Sequence, residues 1–343
     1  MNTLPNPRPP VRRTRRCFMA VLALALGAVT APSGGALAAQ KTEARDKIVI
    51  TGASGQLAGE TIHALLERGV KLDHLVLVTR TPEKLASYST NGAAVRLGDF
   101  DKPETLDAAF AGGRYLLLVS TNSETNRLSQ HTNAIFAARK AGVSHIVYTS
   151  FINATTSNPA LIARDHRLTE DAVATSGMRY TILRNQLYMD GLVDEAAQAI
   201  RTGELYTNAG HGKWAPVTRE DCAAVAALVL TTPGHEGKTY DITGPELIDH
   251  DAFARVIGDV TGRHVRVVDV DDATFVSRAT QGGMTDALAR LTASFGIAMR
   301  TNSLNMRSDA LQILLGRKAE SLHDLLLENK TRLLRAAPQM RTN

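Results

Sequence analysis

The chain has 343 residues, 44% of them hydrophobic and 21% charged, with two cysteines and one tryptophan. That composition is too apolar for a disordered chain, and the length is too great for a scaffold that depends on disulfide staples. The formal net charge of +5 lies entirely in the first 39 residues, where Arg8, Arg12, Arg13, Arg15 and Arg16 stand without any Lys, Asp or Glu; beyond them 34 Lys and Arg balance 34 Asp and Glu, so no basic nucleic-acid footprint remains.

Residues 1–39 read as an export signal. An Arg-rich stretch precedes the apolar run Phe18–Val29, and small residues follow, ending in Ala36-Leu37-Ala38. The run is too short to span a bilayer comfortably, so no stable membrane span is expected after processing. Thr14-Arg15-Arg16-Cys17-Phe18-Met19 resembles the twin-arginine signal, which carries folded proteins to the periplasm. The alternative is an uncleaved extension or a start assigned too early, and with it a cytoplasmic protein. Cys17 precedes the apolar run, which argues against a lipid anchor. Residues 40–47 form a polar linker.

From residue 48 short apolar runs alternate with helical patterns, the rhythm of strands feeding crossover helices in a parallel sheet. The predicted strands are Ile48–Thr51, Leu75–Thr79, Ala94–Leu97, Tyr115–Ser120, His145–Thr149 and Tyr180–Leu183. The predicted helices between them are Gln56–Arg68, Pro82–Tyr88, Pro103–Ala109, Thr125–Ala141 and His166–Ser176. Six strands with five crossovers make an α/β doubly wound Rossmann domain over residues 48–184. After Asn185 the rhythm changes to helices Tyr188–Thr202, Arg219–Leu230 and Asp249–Thr261, strands Thr239–Thr243 and Val265–Val268, and further helices toward Leu334. Residues 185–335 are therefore the expected small α/β cap over the carboxyl edge of the sheet, and 336–343 a tail.

The first strand runs straight into Thr51-Gly52-Ala53-Ser54-Gly55-Gln56-Leu57-Ala58-Gly59. Gly52 allows a sharp turn, Gly55 removes a Cβ that would keep a pyrophosphate away, and the helix opening at Gln56 offers unpaired N–H groups to phosphates. The third glycine of the usual pattern is replaced by Ala58. At the end of the second strand an NAD site places a carboxylate; here Arg80 stands instead, which favours the 2′-phosphate of NADP(H) over NAD(H). A solvated loop arginine is the other reading. Gly98-Asp99-Phe100 follows the third strand, where a carboxylate can accept from an adenine amino group, and Ser120-Thr121-Asn122 follows the fourth beside the sugars. Either group can equally be a turn or cap. Cys222, the one cysteine beyond the leader, lies among alanines and reads as a buried thiol more readily than as a nucleophile.

The set Thr51–Leu57, Arg80-Thr-Pro-Glu-Lys84, Gly98-Asp99-Phe100, Tyr148-Thr149-Ser150 and Tyr180-Thr-Ile-Leu-Arg184-Asn185 resembles the NmrA-like atypical short-chain dehydrogenase/reductases. Within them it is similar to the NAD(P)H:quinone oxidoreductase type 2 group, and the likeness extends over residues 47–335. The resemblance implies that Gly52, Ala53, Ser54, Gly55, Gln56, Leu57, Arg80, Ser120, Thr121 and Asn122 bind NADPH; Asp99, Phe100 and Thr149 are further cofactor-binding candidates. It also implies that the segment containing Asn185, Gln186, Tyr188 and Asp190 faces the nicotinamide and the acceptor.

Ordinary short-chain dehydrogenases use a Tyr-x-x-x-Lys pair, in which the lysine lowers the tyrosine pKa. None exists here: four residues beyond Tyr148, Tyr180 and Tyr188 stand Ile152, Arg184 and Leu192. Tyr188 is the candidate for orienting the acceptor oxygen, and an aromatic packed at a helix start is the alternative. Ser150 occupies the place of a catalytic serine but reads as a cofactor or capping residue without its tyrosine. His166 and Glu170 share a helix face at metal-binding spacing, yet with no third ligand they read as a polar pair, and no metal is expected. The function expected is hydride transfer from NADPH to a quinone-like acceptor. A non-catalytic NADP-binding redox sensor is the alternative, and nucleotide-sugar isomerisation is disfavoured by the missing pair. The sequence leaves the oligomeric state open.

Overall fold

A computed structural model describes residues 47–336, apart from Glu124. The proposed export signal, nearly all of the linker and most of the tail lie outside the described residues. Lys47, assigned to the linker, is the first residue of β1 (Lys47–Ile50). The strands β2 (Leu75–Thr79), β3 (Ala94–Leu97), β4 (Gly113–Leu118), β5 (His145–Phe151) and β6 (Arg179–Asn185) follow, then β7 (Glu204–Thr207), β8 (Lys238–Ile242) and β9 (Arg266–Asp269). Seven form one parallel sheet in the order β3-β2-β1-β4-β5-β6-β8; β7 and β9 pair in parallel beside it. The expected doubly wound sheet is present, with its seventh strand drawn from the chain beyond Asn185.

The sheet is buried on both faces, and the side-chain alternation shows how. Ile48, Ile50, Leu75, Leu77, Leu117 and Val147 face one core, completed by α1 (Gln56–Glu67) and residues further along the chain. Val49, Val76, Val78, Leu116, Leu118, Ile146 and Tyr148 face the other. The short α2 (Ala86–Thr90) lies beside β3. The second face is covered by α3 (Leu106–Phe110), α4 (Arg127–Lys140) and α5 (Ala163–Thr175). The C-terminal part adds α6 (Leu192–Thr202), α7 (Arg219–Thr231), α8 (His250–Thr261), α9 (Asp272–Gln281), α10 (Asp286–Arg300), α11 (Ala310–Leu315), α12 (Leu322–Glu328) and α13 (Lys330–Ala336). Of these, α7 and α11 close the first face of the sheet. α6, α8, α10, α12 and α13 build a separate core around Phe253, Trp214, Met189 and Leu326.

Several expected elements shift at their ends. The segments beginning at Pro82 and Pro103 open as 3-10 turns and become α-helical only at Ala86 and Leu106. β4 ends at Leu118, so Val119 and Ser120 already belong to the loop, while β5 and β6 run on to Phe151 and Asn185. α5 begins at Ala163, one turn before the expected His166. Tyr188 is extended, not helical; a 3-10 turn at Met189–Gly191 leads into α6. β7 was not expected, because four residues of alternation directly after a helix give too short a period-2 signal.

Candidate functional site

Because all seven strands run parallel, the loops after β1, β2, β3, β4, β5 and β6 emerge on one edge, which brings the expected residues together. The turn after β1 is held from both sides. Thr51 Oγ1 donates to the Leu117 carbonyl (3.0 Å) and accepts from Val119 N (3.0 Å), and Ala53 N donates to the Val78 carbonyl (3.0 Å). Gly52 has φ +60°, a conformation that costs a side chain about 1–2 kcal/mol. Gly55 N closes the turn on the Gly52 carbonyl (2.8 Å), and a Cβ on Gly55 would stand 3.1 Å from that oxygen.

Gly55 is also the N-cap of α1. No side chain caps this end, and no acidic residue occupies the first turn. The helix dipole and the first-turn amides thus face an exposed glycine turn, the arrangement that receives an anion. Ser54 and Gln56 are exposed, whereas Ala53 and Leu57 are buried side chains that anchor the turn in the core and bring only backbone groups to its surface.

The tip of β2 is tied to the turn by hydroxyls. Ser54 Oγ lies 2.8 Å from Thr79 Oγ1, which accepts from Thr81 N (3.1 Å) and lies 3.3 Å from Thr81 Oγ1. Sequence reading missed this cluster, since nothing in the spacing of residues 54, 79 and 81 announces it. Arg80, between the two threonines, is exposed, and among the described residues no hydrogen bond or ion pair engages its guanidinium. Asp99 is half-buried and its Oδ1 accepts from Asp101 N (3.1 Å), the turn-forming alternative anticipated for it. Phe100 points into the core and its carbonyl accepts from Asn133 Nδ2 (2.9 Å), so its ring is a packing element.

After β4, Ser120 N donates to the buried Thr149 Oγ1 (2.9 Å) and Thr121 N donates to His131 Nε2 (3.0 Å). Asn122 is exposed. Thr121 Oγ1 is buried without a partner among the described residues. Beneath these loops Tyr148 is fully enclosed, its hydroxyl 2.7 Å from His166 Nδ1, and His131 Nδ1 lies 3.0 Å from Thr169 Oγ1. Burial, and then the Arg127 guanidinium, hold His131 down to about 3 and His166 well below the usual imidazole range; burial pushes the Tyr148 phenol up. Ser150 donates to Glu170 Oε1 (2.6 Å), and Arg184 grips the same carboxylate through two nitrogens (2.8 and 2.6 Å). Ser150 is therefore occupied as a structural donor. His166 and Glu170 serve different partners, and no metal-binding group occurs among the described residues.

The loop after β6 is pinned at its backbone: Gln186 N donates to the Ile242 carbonyl (2.9 Å), Val217 N to the Leu187 carbonyl (3.2 Å), and Met189 N to the Val217 carbonyl (3.0 Å). Asn185 Nδ2 donates to the Tyr188 hydroxyl (3.0 Å), leaving Asn185 Oδ1 buried without a partner among the described residues. The Arg219 guanidinium lies 4.7 Å from the centre of the Tyr188 ring. Burial, the larger influence, raises the Tyr188 phenol, so it stays protonated and able to donate. Two expected contact residues are otherwise engaged. Gln186 is buried, with Nε2 donating to the Leu304 carbonyl (3.1 Å), and Asp190 accepts from Arg219 N (3.0 Å) and pairs with its guanidinium (3.5 Å). Cys222 is a buried thiol, pushed up by burial.

The features of this edge fit a dinucleotide: a turn whose Cβ positions would be obstructive, an uncapped helix end, an unengaged guanidinium at the second strand tip, and orphaned buried oxygens on Thr121 and Asn185. Residues 52–233 match a family described as NAD(P)H-binding. Quinone oxidoreductase 2 of Escherichia coli strain K12 is 35% identical over 275 residues, 80% of this chain and 96% of that protein. An NAD(P)H azoreductase of Xenophilus azovorans is 33% identical over 243 residues, 71% of this chain and 83% of that one. Among solved structures, Citrobacter sp. triphenylmethane reductase complexed with NADP(H) superposes with a TM-score of 0.77 at 34% identity, covering 83% of this chain and 99% of that one.

Proposed function

This chain belongs to the NAD(P)H-binding family and is an NAD(P)H-dependent oxidoreductase that uses NADP(H); from that premise we propose that its acceptor is a quinone. The observation that carries the reading is the convergence of the uncapped glycine turn, the free Arg80 guanidinium and the Asn185–Tyr188 pair on one sheet edge. The curated relatives include a quinone oxidoreductase with which the chain shares 35% identity.

Bound NADPH supplies the hydride. The turn at Gly52–Gly55 and the α1 amides would hold the diphosphate, and the Arg80 guanidinium would meet the 2′-phosphate. Ser54, Thr79 and Thr81 hold the turn and the β2 tip at a fixed separation. Ser120, Thr121 and Asn122 border the sugars, with Thr149 bracing Ser120 from below. Tyr188, kept protonated by burial and oriented by Asn185 Nδ2, donates a hydrogen bond to the acceptor oxygen. A quinone oxygen protonates readily once hydride has added, so this arrangement works by positioning and needs no lysine-activated tyrosine.

The test is loss of absorbance near 340 nm with purified protein, NADPH and a panel of quinones. Turnover that is at least tenfold weaker for Tyr188→Phe is expected; tight NADPH binding with no turnover on any quinone would refute the acceptor assignment.

We also propose that residues 1–39 direct export of the folded protein to the periplasm by the twin-arginine route. The support is the Arg15-Arg16 pair ahead of an apolar run and small residues. A fusion of residues 1–45 to a folded reporter should be exported, and export unchanged by replacing both arginines with lysine would rule that route out.

A further inference from the structure

Met284, Leu288, Leu291 and Phe295 follow one another at intervals of four, three and four along α10 and the residue before its cap. Met284 lies just ahead of the Thr285 cap, and within α10 that spacing puts Leu288, Leu291 and Phe295 on a single face of the helix. Its inner end is anchored at the site: the Phe295 ring lies 6.0 Å from that of Phe151, and Phe151 is the residue of β5 in register with Asn185 of β6. Its outer end is open, with Met284 and Leu288 42% and 43% exposed. Leu161, 61% exposed, stands alongside, because its backbone N–H donates to Ser294 Oγ (3.1 Å) one residue from Phe295.

An apolar stripe of this kind leaves large side chains in water unless something covers them, and one that starts beside the acceptor position and runs outward suits an elongated apolar substituent on the acceptor. We infer that the face formed by Leu161, Met284, Leu288 and Leu291 is a subsite for the alkyl or prenyl chain of a lipophilic quinone. The ring would sit at Asn185 and Tyr188, and the chain would leave along α10 past Phe295. This inference rests on the quinone reading above and adds to it the part of the substrate that decides affinity.

The experiment compares 2,3-dimethoxy-5-methyl-1,4-benzoquinone with its 6-decyl derivative, using NADPH and the purified chain. For the unaltered protein, kcat/KM for the decyl compound should exceed that for the tailless one by about tenfold or more, mainly through KM. Leu288→Ser and Leu161→Ser, both at exposed positions where folding tolerates change, should each reduce that advantage at least about threefold and leave the tailless quinone unaffected. Reduction of the tailless quinone with no advantage for the decyl compound, or an advantage that survives both substitutions, overturns the subsite while leaving the quinone reading intact. Failure to reduce either quinone removes the quinone reading itself, and the subsite with it. Sedimentation of a dimer that Leu288→Ser dissociates would assign the stripe to a second copy of the chain and also overturn the subsite.

Discussion

In the proposed function, coenzyme choice is assigned to Arg80. A guanidinium that no described residue engages at the end of β2 is available for a dianionic phosphate, and charge-assisted hydrogen bonds of this kind contribute about 1.5–3 kcal/mol. Arg80→Glu should therefore raise the KM for NADPH by about ten- to a hundredfold and change that for NADH far less, as measured by steady-state kinetics with both coenzymes. The buried imidazoles give a second residue-scale expectation. His131 and His250 are held down to about 3 and about 4, chiefly by burial, and His166 is lower than usual for the same reason. An unfolded chain protonates these rings near pH 6.5, whereas the folded chain resists until much lower pH. Acid thus binds the unfolded state preferentially, and stability falls from about pH 6.5 toward pH 4 by about 1.4 kcal/mol per pH unit for each ring. Glu195 acts in the opposite sense. Burial pushes its carboxyl up to about 7, so the folded state takes up its proton first, and its contribution grows as pH falls from 7 toward 4.5. Thermal melts between pH 7 and 4 should show a net loss of stability, and His131→Gln should flatten the slope by about one proton.

The β2 and β3 tips show how closely elements approach at this edge. A Cβ on Gly98 would stand 2.4 Å from Val78 Cγ1 and 3.3 Å from the Ala109 Cβ. Gly98→Ala should cost about 1–3 kcal/mol, and adding Val78→Ala, which removes the struck methyl, should make the double variant more stable than the two single losses together imply. Denaturant titrations of the three variants provide the measurement. At α5 the Ser150–Glu170–Arg184 cluster joins the helix to two strands. Glu170→Ala would leave the Arg184 guanidinium without its carboxylate, and an effect of about 3–5 kcal/mol is expected in the same titrations. The strands of the first half were legible because each carries Val, Ile or Leu in a short apolar segment between helical patterns. The 3-10 openings at Pro82 and Pro103 and the strand at Glu204–Thr207 were not, because runs of three or four residues carry too little periodicity to register.

Across the whole molecule, sheet and cap are interleaved in sequence. Residues beyond Asn185 supply β8, which pairs with β6 from Thr181 through Asn185, and α7, whose Ala223, Val225 and Ala226 belong to the same core as Leu57 and Ile62 of α1. Asp221, at the start of α7, accepts from Arg317 Nη1 (2.6 Å) and Glu320 N (2.8 Å), which fastens the C-terminal segment to that helix. A chain cut after residue 184 would expose an unpaired edge of β6 and one uncovered face of the sheet. It should therefore be aggregated or unfolded when its circular dichroism and sedimentation are compared with those of residues 47–336.

By itself the sequence determined the parallel α/β architecture, the glycine turn after the first strand and the guanidinium at the second strand tip, because each of these is a local pattern: a period, a glycine spacing, one charge at a strand end. Only the tertiary structure decided which of the remaining polar residues are free. Ser150, Gln186 and Asp190 look available in the sequence but are engaged by Glu170, Leu304 and Arg219. The Ser54–Thr79–Thr81 cluster exists only because the crossover connection between β1 and β2 brings distant segments to one edge, and the stripe on α10 meets Leu161 only through the fold. Hydrogen bonding and exposure depend on neighbours in space, and a linear spacing does not encode them.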